Sequence, residues 1–160
     1  MAVEAGVLEA GLQEVCLTRR VAASPDVVFR AWIERKHLAK WWGPKDFTNP
    51  VCEVDARIGG AMLINMRSPE GVEHPMTGRF VTIDRPHRLV FVTAPIDGEG
   101  KPMFEVTNTV TFREVLGGTE ISLVARVTKM KPGAPSKHLA GMSQGWCESI
   151  DRLVDLVVLF

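Results

Sequence analysis

The sequence predicts an α+β chain of helix-grip architecture, in which a curved antiparallel sheet wraps around a long C-terminal helix. Three observations predict it. From Val51 onward the apolar pattern has period two and is punctuated by turn residues, the mark of consecutive antiparallel strands. The last segment instead carries a helical stripe, Leu139, Met142, Trp146, Ile150, Leu153, Val154 and Val157, over more than five turns. Before both lies a strand followed by two short helices. A one-sided sheet and a one-sided helix hide their apolar faces together when the sheet curls over the helix.

Taken in order, residues 1–11 are polar without strong periodicity and read as a frayed lead-in, so that residues 12–160 form a single domain. Residues 13–22 alternate around Val15, Leu17 and Val21 as a strand. Ser24-Pro25-Asp26 then supplies an N-cap and a proline suited to a first helical turn. Val28, Phe29, Trp32 and Ile33 recur at helical spacing, and a second short helix through His37, Leu38 and Trp41 stops at Gly43-Pro44. Turns at Gly59-Gly60, Pro69-Glu70-Gly71, Asp84-Arg85-Pro86, Pro95 to Pro102 and Gly117-Gly118 divide the middle into five or six strands. The clearest alternation places Phe104, Val106, Asn108, Val110 and Phe112 inward and Glu105, Thr107, Thr109 and Thr111 outward. Ile121, Leu123, Ala125 and Val127 repeat it, and Pro132-Gly133-Ala134-Pro135 marks the entry to the final helix.

Composition narrows the function classes. At 160 residues and 46% hydrophobic, the chain is long enough for one substantial core. Its 19 basic and 19 acidic residues balance, and no Lys/Arg run interleaves with aromatics, which argues against nucleic acid as a partner. No apolar run spans a bilayer, since Leu156 to Phe160 is too short, and the reading is a soluble cytoplasmic protein. Cys16, Cys52 and Cys147 are odd in number and widely spaced, and they read as buried thiols rather than as a disulfide framework or zinc site. His37, His74, His87 and His138 fall in helix-start or turn contexts as solvated side chains, without metal-ligand spacing. No metal and no cofactor is expected. The sequence contains no nucleophile elbow, phosphate loop or tyrosine, and no catalytic residue is assigned. The remaining acid–base candidates are Glu53, Glu105 and His74.

A sheet gripping a helix encloses more volume than one row of side chains fills, so the pattern predicts an internal cavity between them. Trp41 and Trp42, beside the Gly43-Pro44 turn, either anchor that loop to the core or form the mouth of the cavity. Met62, Ile64 and Met66 alternate inward and face the same interior as Met142 and Trp146, as adaptable cavity walls or as core. Asn108, set among Phe104, Phe112 and two valines, requires a partner: a backbone group, a buried water or a ligand's polar atom. Asp55 and Arg57, two apart on a strand, read either as an exposed brace beside Gly59-Gly60 or as a polar group at the cavity entrance. The apolar run Leu156, Val158, Leu159 and Phe160 extends the last helix, either to close the core or to meet a second copy in a homodimer.

Several motifs in the same order resemble a known family. These are Leu17-Thr18-Arg19, Val28-Phe29-Arg30-Ala31-Trp32, Trp41-Trp42-Gly43-Pro44, Asp55-Ala56-Arg57-Ile58-Gly59-Gly60, Gly71, Gly78, Gly145-Trp146 and Asp151-Arg152-Leu153. Together they resemble the activator of heat shock protein 90 ATPase homologue 1-like (AHSA1-like) family of the START-like, or SRPBCC, superfamily, from about Val15 to Val157. The resemblance implies a START-like (Bet v1-like) helix-grip fold with a hydrophobic cavity. It leaves three readings of function. One is a carrier or sensor for a small apolar or aromatic molecule, held by Trp41, Trp42, Met62, Ile64, Met66, Phe104, Asn108, Phe112, Met142 and Trp146. Another is a co-chaperone-like module with a chaperone partner, and the last a cyclase- or hydrolase-type enzyme using the cavity.

Overall fold

A computed structural model of the chain describes residues 14–130 and 141–160. The expected lead-in, the turn at 132–135, His138 and Leu139 lie outside the described residues. The first strand, β1, spans Glu14–Val21, and two helices follow, α1 (Pro25–Ile33) and α2 (Arg35–Trp41). Six strands then run consecutively: β2 (Thr48–Val54), β3 (Ala61–Arg67), β4 (Glu73–Asp84), β5 (Arg88–Pro95), β6 (Phe104–Val115) and β7 (Gly118–Met130). The last helix, α3, spans Met142–Val157.

The seven strands form one antiparallel sheet in the order β1-β7-β6-β5-β4-β3-β2. From β2 to β7 each strand pairs with its successor, and β1 pairs with β7. The edges are therefore β1 and β2. Pro50 is accommodated because β2 is an edge strand, where the ladder shifts register between Thr48 and Val51. Further irregularities between Phe80 and Thr82 and between Glu105 and Val106 interrupt the long strands, where bulges increase twist and bend a sheet. The result is the curved sheet with a C-terminal helix that the alternating pattern predicted.

Local chemistry sets the helix boundaries. Ser24 Oγ accepts from the Val27 amide at 3.4 Å, with Pro25 in the first turn, as expected of an N-cap. The apolar face of α1, Val28, Phe29, Ala31 and Trp32, is buried against β6 and β7. The buried residues of α3, Ser149, Ile150, Leu153 and Val157, face β1, α1 and α2. The inward faces of β6 and β7 are buried as their alternation required, from Phe104 to Phe112 and from Ile121 to Val127.

Four local expectations are corrected. Asp55 and Arg57 lie beyond the end of β2, in the turn before β3, because Arg57 N donates to Asp55 O and folds the chain back. Their side chains pair at 2.8 Å in solvent, which is the exposed brace and not a cavity entrance. Cys16 is exposed, since β1 points its odd residues inward and its even ones out; Cys52 is buried and Cys147 half-buried. The histidines are also not uniformly solvated. His74 lies within β4 and is half-buried, and His37 packs against Phe160 with ring centroids 4.3 Å apart. The α-helix stops at Val157, and Val158, Leu159 and Phe160 follow in a hydrogen-bonded turn with their side chains exposed.

Candidate functional site

All four tryptophans of the chain meet at one place. Trp32 packs edge-on to Trp41 at 4.7 Å and stacks with Trp146 of α3 at 6.1 Å. Trp42 joins them through Trp41 at 5.7 Å and Trp146 at 5.4 Å. Their roles divide by depth. Trp32 and Trp41 are sealed in the core, where Trp41 Nε1 donates to Ala31 O at 2.8 Å. Trp42 and Trp146 expose part of their rings to a cavity of about 750 Å³ between the sheet and α3.

The Trp42-Gly43-Pro44 loop that forms one side of this cavity is held by its carbonyls. The last carbonyls of a helix lack intrahelical donors, so α2 needs external ones. Arg152, reaching across from α3, donates through Nη1 to Trp42 O at 3.2 Å, Gly43 O at 2.9 Å and Pro44 O at 2.8 Å, and through Nη2 to Lys40 O at 2.8 Å. Burial lowers the pKa of this guanidinium and the Asp46 carboxylate opposes that shift; its position near a helix C-terminus is where a cation is favoured. Asn49 Nδ2 adds bonds to Ala39 O at 3.0 Å and Trp42 O at 2.8 Å. Gly43 has φ +99°, which favours glycine, and a Cβ there would lie 2.9 Å from Met66 Sδ, so that thioether would have to shift.

From the sheet, the cavity is lined by Met66 of β3, His74 and Met76 of β4, Thr93 of β5, and Phe104 and Val106 of β6. The β5–β6 loop contributes Ile96 and Asp97, and α3 contributes Met142, Trp146 and Ser149. Of the ten residues the sequence suggested, Trp42, Met66, Phe104, Met142 and Trp146 are brought together on this wall. Trp41, Met62, Ile64, Asn108 and Phe112 are packed behind it in the core. Among the acid–base candidates, His74 lines the cavity, whereas Glu53 and Glu105 stand on the outward faces of β2 and β6. Glu73, near the cavity's edge, has its carboxyl pKa lowered by hydrogen bonds from Arg67 and Asn65. No cluster of three or more His, Cys, Asp or Glu able to hold a metal occurs among the described residues, and no described helix is long and apolar enough to cross a membrane.

A family profile described as "Activator of Hsp90 ATPase homolog 1-like protein" matches residues 22–158. The chain belongs to this family. Among solved structures, it is similar to a protein of Nitrosomonas europaea at 27% identity and TM-score 0.73, covering 91% of this chain and 94% of that one. A protein of Chromobacterium violaceum is similar at 26% identity and TM-score 0.75, covering 90% and 96%. An AHSA1 protein of Silicibacter pomeroyi shares the fold at 20% identity and TM-score 0.75, covering 91% and 98%. Comparison with curated proteins finds no match.

Within this family member, sequence reasoning missed four residues that shape the site: Asn49, Thr93, Ser149 and Arg152. Arg152 entered only as part of the motif Asp151-Arg152-Leu153. The available signal was a cation flanked by the apolar stripe of the last helix at Ile150 and Leu153, a placement that demands acceptors. Thr93 and Ser149 carried no signal, because a small hydroxyl inside an apolar run looks the same whether it faces core or cavity.

Proposed function

We propose that this protein binds a small apolar or aromatic molecule between the sheet and α3, as a carrier or sensor. The observation that carries this reading is the cavity itself. Its volume of about 750 Å³ falls within the roughly 300–1,000 Å³ typical of small-molecule sites. Aromatic rings and thioethers dominate its walls, and thioethers adapt to ligands of varied shape. Native mass spectrometry of the purified protein, with a thermal-shift screen of apolar and aromatic metabolites, tests it. A ligand that binds only the folded state raises the melting temperature by mass action. The expected result is a co-purified mass, or a shift of several degrees that Trp146→Ala abolishes. A folded protein with neither would refute the reading.

The family's description supports a co-chaperone-like alternative, and the exposed apolar tail Val158, Leu159 and Phe160 offers it a contact. Stimulation of a purified Hsp90 ATPase by the full chain, lost when Leu159 and Phe160 become serine, would favour that alternative.

A further inference from the structure

The inner end of the cavity has a polar arrangement that narrows the ligand's chemistry. Along β5 and β6 the lining stops at Thr93 and Val106; the next inward residues, Phe91 and Asn108, are buried beyond it. Asn108 Nδ2 donates to Phe91 O at 3.2 Å, Val106 O at 3.4 Å and Thr93 Oγ1 at 3.1 Å. The orientation of this amide is not arbitrary. Turning it over would press its oxygen against two backbone carbonyls, so the nitrogen must face them and must therefore also face Thr93. Thr93 Oγ1 is thereby an acceptor toward Asn108. Its own proton has no acceptor among the described residues, although the residue is only 6% exposed. The methyl of Thr93 lies on the β4 side, near Gly78, while the hydroxyl lies on the β6 side.

The other hydroxyl on the wall differs. Ser149 Oγ donates its proton to Gly145 O at 2.8 Å, leaving only lone pairs. No lysine or arginine is found among the described lining residues, while Glu73 and Asp97 are. Among the described lining residues an anionic ligand would therefore meet carboxylates and no lysine or arginine, which disfavours a charged acceptor there.

We propose that Thr93 is the hydrogen-bond donor at the inner end of the cavity, and that the ligand is a neutral apolar or aromatic compound carrying a carbonyl oxygen there. This rests on the ligand-binding reading of the cavity. Asn108 acts as a positioning residue, fixing the direction in which the Thr93 hydroxyl donates.

Two isosteric probes test it, 2-acetonaphthone and 2-isopropenylnaphthalene, which differ by a C=O in place of a C=CH2. Binding is followed through the intrinsic fluorescence of the four clustered tryptophans in the full chain. Thr93→Val keeps the shape of the site and leaves Asn108 its carbonyl partners on Phe91 and Val106. This variant is expected to bind the ketone about three- to tenfold more weakly than the wild type, the range of one net hydrogen bond, and to bind the hydrocarbon equally well. Thr93→Ser is expected to restore ketone affinity. Equal effects of Thr93→Val on both probes, or on neither, would overturn the assignment of Thr93 while leaving the cavity a binding site. Failure of both probes to bind the wild type would overturn the assignment of Thr93 to an aromatic ketone and, together with an empty metabolite screen, the ligand-binding reading as well.

Discussion

Replacing Arg152 by methionine tests whether one cation on α3 holds the cavity's tryptophan loop in place. Methionine approximates the length of the aliphatic stem and removes the four hydrogen bonds to Lys40, Trp42, Gly43 and Pro44. The acceptors do not suffer equally. Trp42 O keeps Asn49 Nδ2 at 2.8 Å, Pro44 O keeps the Phe47 amide at 3.1 Å, and Lys40 O lies where water reaches it. Gly43 O and Lys40 O have no second donor among the described residues, and of these two only the Gly43 bond is part-buried. A stranded carbonyl costs about 1–3 kcal/mol, and loss of the charge-assisted bonds adds to it. Relief of the guanidinium's desolvation, which lowers its pKa, offsets part. The net expectation is a loss of about 2–3 kcal/mol. For a chain of this size that corresponds to roughly 4–12 °C in melting temperature. Urea unfolding followed by tryptophan fluorescence reads both consequences at once, a lower midpoint with unchanged slope and an altered native emission as Trp42 loosens. Arg152→Lys, with fewer donors on a point charge, is expected to fall between methionine and wild type. A loss below about 0.5 kcal/mol with native emission unchanged would refute the clamp.

Gly43→Ala is expected to cost more than Gly71→Ala in urea unfolding. Both sites have positive φ, which costs an L-residue about 1–2 kcal/mol, but only at Gly43 does the added methyl meet Met66, at 2.9 Å, whereas nothing lies within 4 Å at Gly71. Equal losses would show that Met66 yields freely. His37 should make stability depend on pH. Burial lowers its pKa below 6.5, against the opposing pull of Glu34, so the folded state prefers the neutral ring. Its contribution is therefore complete above the unfolded value near 6.5 and is lost as pH falls through the lower folded value. The wild type should lose urea resistance across that window and His37→Gln should not; parallel profiles would refute the assignment. The paired carboxylates Glu34, Glu73 and Glu120, whose pKa values are lowered by arginine hydrogen bonds, act only at more acid pH, below their unfolded 4.5.

The alternation of β6 and β7 was legible because each strand has one wet face, so burial repeats every second residue in the chain itself. The N-cap at Ser24 and the breaks at Gly43-Pro44 and Gly117-Gly118 were legible for a related reason. Their chemistry acts within four residues. Inward direction was therefore readable for Met66, Phe104, Met142 and Trp146, together with the aromatic weight of Trp41-Trp42.

What periodicity does not encode is depth. Met62, Ile64 and Met66 occupy the same face of β3, yet only Met66 lines the cavity, while Met62 and Ile64 are fully packed in the core. Trp41 and Trp42 are adjacent in sequence, and the end of α2 seals one ring while turning the other to the cavity. The Arg152 clamp and the Thr93–Asn108 pair join residues far apart in the chain, 108 to 112 positions and 15 positions respectively. By itself, the sequence determined the element order, the faces and the curved-sheet-on-helix arrangement, since local sterics and burial suffice for these. Only the tertiary structure decided which inward residues line space and which fill it, and which polar atoms meet, because those depend on strand register and on where α3 crosses the sheet.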